Sequence, residues 1–242
     1  VGGSNDTIVH PSVQEGAHSI SNLVLSLEFN SSGLLSGIVQ GGARANVTQE
    51  LAAYRNAVGG AYLLIETSPA SALPVPVQVM TVNGPVMSEV IQRFDCPTIV
   101  SFASQRISLM HAGDQDTVRV THDIGTLQPY TELITRFRTD LKATALESDS
   151  TGLESHRREW DPRGIGANYH AVVQQASVIE TQSVNDDARQ LAVLTTHTMG
   201  AASLTEGELE LMMIRRLNTT DNQGPAPLSE VEPINVTIAL LF

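Results

Sequence analysis

Seven histidines, twenty-six carboxylates and one cysteine are the groups with which this 242-residue chain could chelate a metal, move protons or attack an electrophile. No histidine stands at a spacing from another ligand that predicts a metal site. His122 and Asp123 are neighbours, and neighbouring side chains on a strand point to opposite faces, which makes them a poor chelate. No Gly-x-Ser-x-Gly elbow presents a nucleophile. Gly41-Gly42 and Gly59-Gly60 lack the following Lys and the strand-to-helix context of a phosphate cradle. Hydrolysis of a glycoside by two carboxyls needs them about 5–10 Å apart, and the spacing of Asp and Glu selects no pair. Cys96 has no second cysteine to pair with, and its place beside Pro97 in VIQRFDCPTIVSF predicts a small buried side chain.

The elements that would position such groups are strands. Apolar and polar residues alternate with a period of two, broken by Gly, Asn, Asp or Pro. Residues 21–29 (SNLVLSLEF) predict a strand, 30–33 (NSSG) a tight turn and 34–39 its antiparallel return. Strands are also predicted over 61–66, 75–82, 86–94, 98–102, 107–110, 117–124 and 131–139. Pro74 and Pro76 mark an edge strand or a strand start. Residues 48–57 (TQELAAYRNA) are the one helix candidate, short and set among strands. Residues 140–166, crowded with charges and turn formers, read as a long loop. Strands resume over 168–180, 188–195 and 208–217, and 219–233 read as a polar loop. Within this series, residues 191–217 (LAVLTTHTMGAASLTEGELELMMIRRL) read as two apolar strands joined by small residues and closed by a paired Arg. Short antiparallel strands at this spacing build sandwiches or barrels.

The chain has 41% apolar residues and no apolar run near the ~20 residues that span a bilayer, so no membrane partner is expected. A formal charge of −12 repels a phosphate backbone, and no nucleic-acid partner is expected either. Thirteen Arg accompany the single Lys142. Five of the eleven Asn begin an Asn-x-Ser/Thr sequon: Asn5, Asn30, Asn46, Asn218 and Asn235. Their number favours a secreted or lysosomal protein glycosylated on exposed turns. The opening VGGSNDTIVH has no basic-then-apolar leader pattern, and the closing NVTIALLF is strand-like. Both ends therefore read as cuts in a longer protein, with a sandwich incomplete at its C-terminus.

Several segments, in order along the chain, resemble the region that follows the catalytic domain in glycoside hydrolase family 38, the zinc-dependent α-mannosidases. They are the hairpin of residues 21–39, Gly60-Ala61-Tyr62-Leu63, Ile134-Thr135-Arg136-Phe137, His156-Arg157-Arg158, Gly166-Ala167-Asn168-Tyr169 and, most closely, residues 191–217. The resemblance implies an all-β fold, an antiparallel β-sandwich of galactose-mutarotase-like type. Residues 1–20 would be an N-terminal segment and 21–242 the sandwich, with strand in place of the helix candidate. It also implies an N-terminal catalytic domain as partner, which would bind zinc and carry the carboxylate nucleophile. This chain alone would then hold no metal or catalytic residue and be inactive. Its substrate-binding residues, toward mannosyl glycans, would be Tyr62, Arg216 and the loop Thr220-Asp221-Asn222-Gln223-Gly224 with Asp221 and Gln223. Gln223 stands where the family carries Arg, and Ile214 where lysosomal members carry His; a neutral amide keeps hydrogen bonds but loses the charged planar fork. Arg215 and Arg216 should point to opposite faces of their strand. A free-standing carbohydrate-binding sandwich and a purely structural buttress are the alternative readings, and a homo-oligomer is left open as a further partner.

Overall fold

The computed structural model describes residues 12–13, 15–55, 67–143, 145–149, 152–159, 170–172, 175–179, 189–218, 228–229 and 231–242. Among them are strands and turns but no helix. The first stretch carries β1 (Ser12–Val13), β2 (His18–Ser21), β3 (Leu25–Phe29), β4 (Leu35–Gln40), β5 (Ala43–Ala45) and β6 (Val47–Arg55). The middle carries β7 (Ser71–Ala72), β8 (Gln78–Asn83), β9 (Met87–Phe94), β10 (Ala103–Met110), β11 (Thr117–Ile124) and β12 (Thr131–Thr139). The last carries β13 (Ala145–Asp149), β14 (Ser155–Glu159), β15 (His170–Val172) and β16 (Gln175–Ile179), then β17 (Gln190–Thr195), β18 (Met199–Ala202), β19 (Glu208–Arg216) and β20 (Ile234–Leu241).

These strands form three antiparallel sheets. One has ten strands in the order β1-β8-β9-β10-β11-β20-β17-β16-β13-β14, one has six in the order β15-β18-β19-β12-β6-β7, and one has four in the order β2-β3-β4-β5. The alternation in sequence becomes alternation of burial. β3 buries Leu25, Leu27 and Phe29, and β11 buries Val118, Val120, His122 and Ile124. Inward side chains of all three sheets share one apolar cluster, including Leu27 and Ile38, Ile107 and Val120, and Leu133, Phe137 and Leu211. Each large aliphatic or aromatic side chain buried there contributes about 1.5–3 kcal/mol. Cys96 is buried and unpaired, as its sequence context predicts.

A polar seam crosses this core. Gln49 on β6 donates to Thr135 Oγ1 on β12 at 3.0 Å and exchanges hydrogen bonds with Gln105 on β10 at 3.1 and 2.7 Å. Gln105 also donates to Gln92 on β9, which donates to the Gly33 carbonyl in the β3–β4 turn. Every amide oxygen and nitrogen of the three glutamines has a partner, so the seam fixes how the sheets face one another.

Four sequence expectations need correction. Residues 140–166 are not simply a loop, because β13 pairs with β14 and β16, burying Leu146 and Ser148. Residues 191–217 are not one strand pair. β17 lies in the ten-stranded sheet beside β20, while the small-residue connector is itself a strand, β18, paired with β19. Residues 168–180 split into β15 and β16, which belong to different sheets. Residues 98–102 form a turn with one bridge, Val100 to Leu127, and β10 starts at Ala103. The helix candidate at 48–57 is strand over Val47–Arg55, the outcome that the family resemblance implies.

Candidate functional site

β6, β12 and β19 are the centre of the six-stranded sheet, and their register brings Arg55, Thr131 and Arg216 together at one end of it. Thr131 at the start of β12 is opposite Arg55, the last residue of β6, and opposite Arg216, the last residue of β19. Arg55 and Arg216 therefore flank Thr131 about 10 Å apart, two strand spacings. Arg55 Nη1 donates to Thr131 Oγ1 at 2.9 Å, and its Nη2 to the Thr98 carbonyl at 2.6 Å. Arg216 Nη1 donates to the Leu127 carbonyl at 2.6 Å. Both guanidiniums thus tie strand ends to the segment that runs from Thr98 to Thr131.

The same end carries the stems of two excursions. Thr67 N and Oγ1 both donate to the Arg55 carbonyl, at 2.8 and 3.0 Å, so residues 55 and 67 meet. Leu217 N donates to the Leu228 carbonyl at 2.6 Å, so residues 217 and 228 meet. Tyr62 falls between the first pair of stems, and Asp221 and Gln223 between the second; all three lie outside the described residues, as do Gly60-Ala61-Tyr62-Leu63 and Gly166–169. Asn5 also lies outside them.

The outer face of these strands is charged and largely buried. Arg136 Nε donates to Glu210 Oε1 at 2.5 Å and its Nη1 to Glu50 Oε1 at 3.0 Å. Arg138 binds Glu50 at 2.7 Å and Glu208 at 2.9 Å, and the Tyr54 hydroxyl donates to Glu210 Oε2 at 2.8 Å. Burial opposes the Arg136 charge, but Glu210 beside it more than compensates and holds the guanidinium above its usual range. Burial pushes Glu208 up against the opposing pull of Arg136. Nearer the sheet end, Arg215 Nε donates to Glu132, whose carboxyl is 2% exposed. Burial raises Glu132 to about 7 despite Arg215. Between the two charged groups sits a small apolar cluster of Ala52, Tyr54, Ile134 and Met212. The sequence reading missed this network. Its only signal was Glu50 on β6, Glu132, Arg136 and Arg138 on β12 and Glu208 and Glu210 on β19, alternating with apolar residues in a way that reads as a solvated face.

Among the described residues no group of three or more His, Cys, Asp or Glu side chains is placed to hold a metal ion. The described donor set does not fit a zinc ion. His122 has both ring nitrogens buried without a hydrogen-bond partner, and burial lowers it to about 4 against the pull of Asp123. Of the sequons, Asn30, Asn46, Asn218 and Asn235 are described. Asn30 sits in the β3–β4 turn, where its Oδ1 accepts from Ser32 N and Leu34 N at 2.9 and 3.1 Å. Asn46 stands exposed between β5 and β6, and Asn235 lies on β20.

The sequence profile described as "Glycosyl hydrolases family 38 C-terminal domain" matches residues 20–223. Alpha-mannosidase 2 of Drosophila melanogaster is 31% identical over 169 residues, covering 68% of this chain and 14% of that protein. Lysosomal alpha-mannosidase of Mus musculus is 30% identical over 190 residues, covering 72% of this chain and 17% of that protein. The chain thus spans only a small fraction of the relatives it matches. An alpha-mannosidase from Enterococcus faecalis V583 has the same fold over 96% of this chain and 30% of its own, with a TM-score of 0.68 at 11% identity.

Proposed function

Because this chain belongs to the glycosyl hydrolase family 38 C-terminal domain family, we propose that it is the C-terminal β-domain of a zinc-dependent, retaining α-mannosidase of the lysosome or secretory pathway. The whole enzyme would remove terminal α-mannosyl residues from N-glycans. An N-terminal catalytic domain would supply the zinc and the nucleophile, and this domain would support it and line part of the sugar pocket.

The observation that carries this reading is the row Arg55–Thr131–Arg216. It sets the stems of the Tyr62 and Gln223 segments side by side at one sheet end, the geometry that two walls of one pocket require. Tyr62 would offer its hydroxyl to the sugar, and Asp221 and Gln223 would hydrogen-bond sugar hydroxyls. Arg216, fixed by the Leu127 carbonyl, would hold the edge between them. With Gln223 in place of a guanidinium, mannose would be bound by neutral donors and would gain no fixed positive charge.

The test is hydrolysis of an aryl α-mannoside with zinc, by this domain alone and joined to its N-terminal partner. Activity is expected only in the joined protein. Turnover by the domain alone would overturn the division of labour.

A further inference from the structure

The outer face of the ten-stranded sheet carries a groove that the proposed function leaves unused. On β10, β11 and β20, Arg106 is opposite Thr121, Ser108 opposite Arg119, Thr121 opposite Thr237 and Asp123 opposite Asn235. Val118, Val120, His122, Val236 and Ile238 are the buried alternate residues, so Arg106, Arg119, Thr121, Asn235 and Thr237 share the outer face. Together with Leu194 they line a depression of about 510 Å³. Arg106, Arg119 and Thr121 also border an adjoining cleft of about 200 Å³. Small-ligand sites commonly run from roughly 300 to 1,000 Å³.

The groove keeps donors to spare, Arg119 above all. Arg106 Nη2 stands 3.8 Å from Asp123, a long ion-pair distance, and Arg119 has no partner among the described residues. Thr121 and Thr237 pair their hydroxyls at 3.1 Å. Asn235 opens the sequon Asn235-Val236-Thr237, and its Nδ2 donates to Asp123 Oδ1 at 2.5 Å. The carboxamide therefore leans along the sheet toward β11, over the groove. By contrast, Asn30 and Asn46 lie outside the strands, and neither lines the groove.

We propose that an N-linked glycan on Asn235 folds back into this groove, its core N-acetylglucosamine residues held by Arg106, Arg119 and the threonine hydroxyls. This rests on the secretory-pathway reading above. Attachment forms the Nδ2–C1 bond, breaks the bond from C1 to the diphosphate of a lipid-linked oligosaccharide, and releases one Nδ2 proton. The second Nδ2 proton stays, so Asn235 keeps its hydrogen bond to Asp123. Sugar hydroxyl and acetamide oxygens accept from guanidinium donors, and Leu194 offers an apolar surface to the C–H face of the ring. Because the sugar is tethered at the groove's rim, its effective concentration there is on the order of millimolar, and weak contacts suffice to seat it.

The experiment expresses the full chain in a host that adds high-mannose glycans. Mass spectrometry reads each sequon, and an endoglycosidase that cuts between the two core N-acetylglucosamines is timed on the native protein. Asn235 should be occupied and its glycan released about tenfold more slowly than that of Asn30, the ratio given by a seat of about 1.4 kcal/mol. After denaturation the two rates should coincide. Replacing Arg106→Ala and Arg119→Ala together should bring the native Asn235 rate up to that of Asn30. If that pair fails to fold, Arg119→Gln alone at its exposed, unpartnered site should still raise the rate. An empty Asn235 beside an occupied Asn30 or Asn46 would overturn the proposal, as would equal native rates or a slow rate unchanged by the Arg variants. Absence of glycan from every sequon would remove the secretory-pathway reading itself, and this proposal with it.

Discussion

Arg215 and Arg216, adjacent at the end of β19, serve opposite faces of the six-stranded sheet. Arg215 donates to buried Glu132 on the outer face, and Arg216 donates to the Leu127 carbonyl on the core side. The first holds a charge pair and the second holds a chain segment, so they should fail differently. Arg215→Ala strands a buried carboxyl and should cost about 3–5 kcal/mol, while Arg216→Ala loses one charged hydrogen bond and should cost about 1.5–3 kcal/mol. Urea unfolding of both variants measures the difference, and Glu132→Gln should recover part of the loss in Arg215→Ala.

His122 should make stability depend on pH in a defined direction. Its imidazole has Gln105 and Val236 as cross-strand neighbours, with Asp123 next in the chain, and it titrates near 4 in the fold against 6.5 unfolded. Between these values the unfolded chain binds a proton that the folded one excludes, so stability is full above pH 6.5 and falls as pH drops to 4. The difference is about 3 kcal/mol. Glu132 works the other way. Raised to about 7 from 4.5, it retains a proton in the fold, and the stability present below pH 4.5 is lost as pH rises toward 7. The gap in unfolding free energy between the parent and His122→Leu isolates the first effect. That gap should shift in the parent's favour by about 3 kcal/mol from pH 4 to 6.5, while the variant alone shows the Glu132 trend.

Gly207 lies just before β19 with φ +70°, and a Cβ there would come within 2.7 Å of the Leu141 carbonyl and 2.8 Å of the Thr139 carbonyl. Gly207→Ala should cost about 1–2 kcal/mol from the left-handed backbone alone, with the backbone clash adding to it. Gly113, at φ +76° with open space around its Cβ position, is the control: Gly113→Ala carries the conformational cost without the clash. Thermal unfolding of the two variants should separate the terms.

Tyr54 tests the outer network without removing a charge. Tyr54→Phe takes away the hydroxyl that donates to fully buried Glu210 and should destabilise by about 1.5–3 kcal/mol, as for hydrogen bonds to charged groups. A double-mutant cycle with Arg136→Met should show strong coupling, because both side chains serve the same carboxylate.

The strand pattern was legible wherever one face is apolar. β3, β11 and β12 stand close to their expected positions because Leu27, Val120 and Phe137 recur at every second place. Sheet membership was not legible. The apolar runs of β17 and β19 look like partners in sequence, yet β17 pairs with β20 and β16, since pairing is set by contacts far apart in the chain. β13 and β14 were hidden because Glu147, Ser148, Arg157 and Arg158 satisfy one another there. Arg158 Nε donates to Ser148 Oγ at 3.1 Å, and such a hairpin has no apolar period to read. The Gln49–Gln105–Gln92 seam escaped for the same reason, as glutamine on a strand reads as outward. Tyr62, Arg216, Asp221 and Gln223 came from family resemblance alone; their local sequence carries no chemical spacing that would select them.

The most direct measurement is the kinetics of Tyr62→Phe in the polypeptide that joins this domain to its catalytic partner, with an aryl α-mannoside as substrate. If Tyr62 gives its hydroxyl to the sugar, kcat/KM should fall by about tenfold or more, equivalent to the 1.5 kcal/mol or so of one hydrogen bond, with unfolding stability unchanged. Unaltered kcat and KM would contradict a place for this domain in the sugar pocket and leave it a structural support.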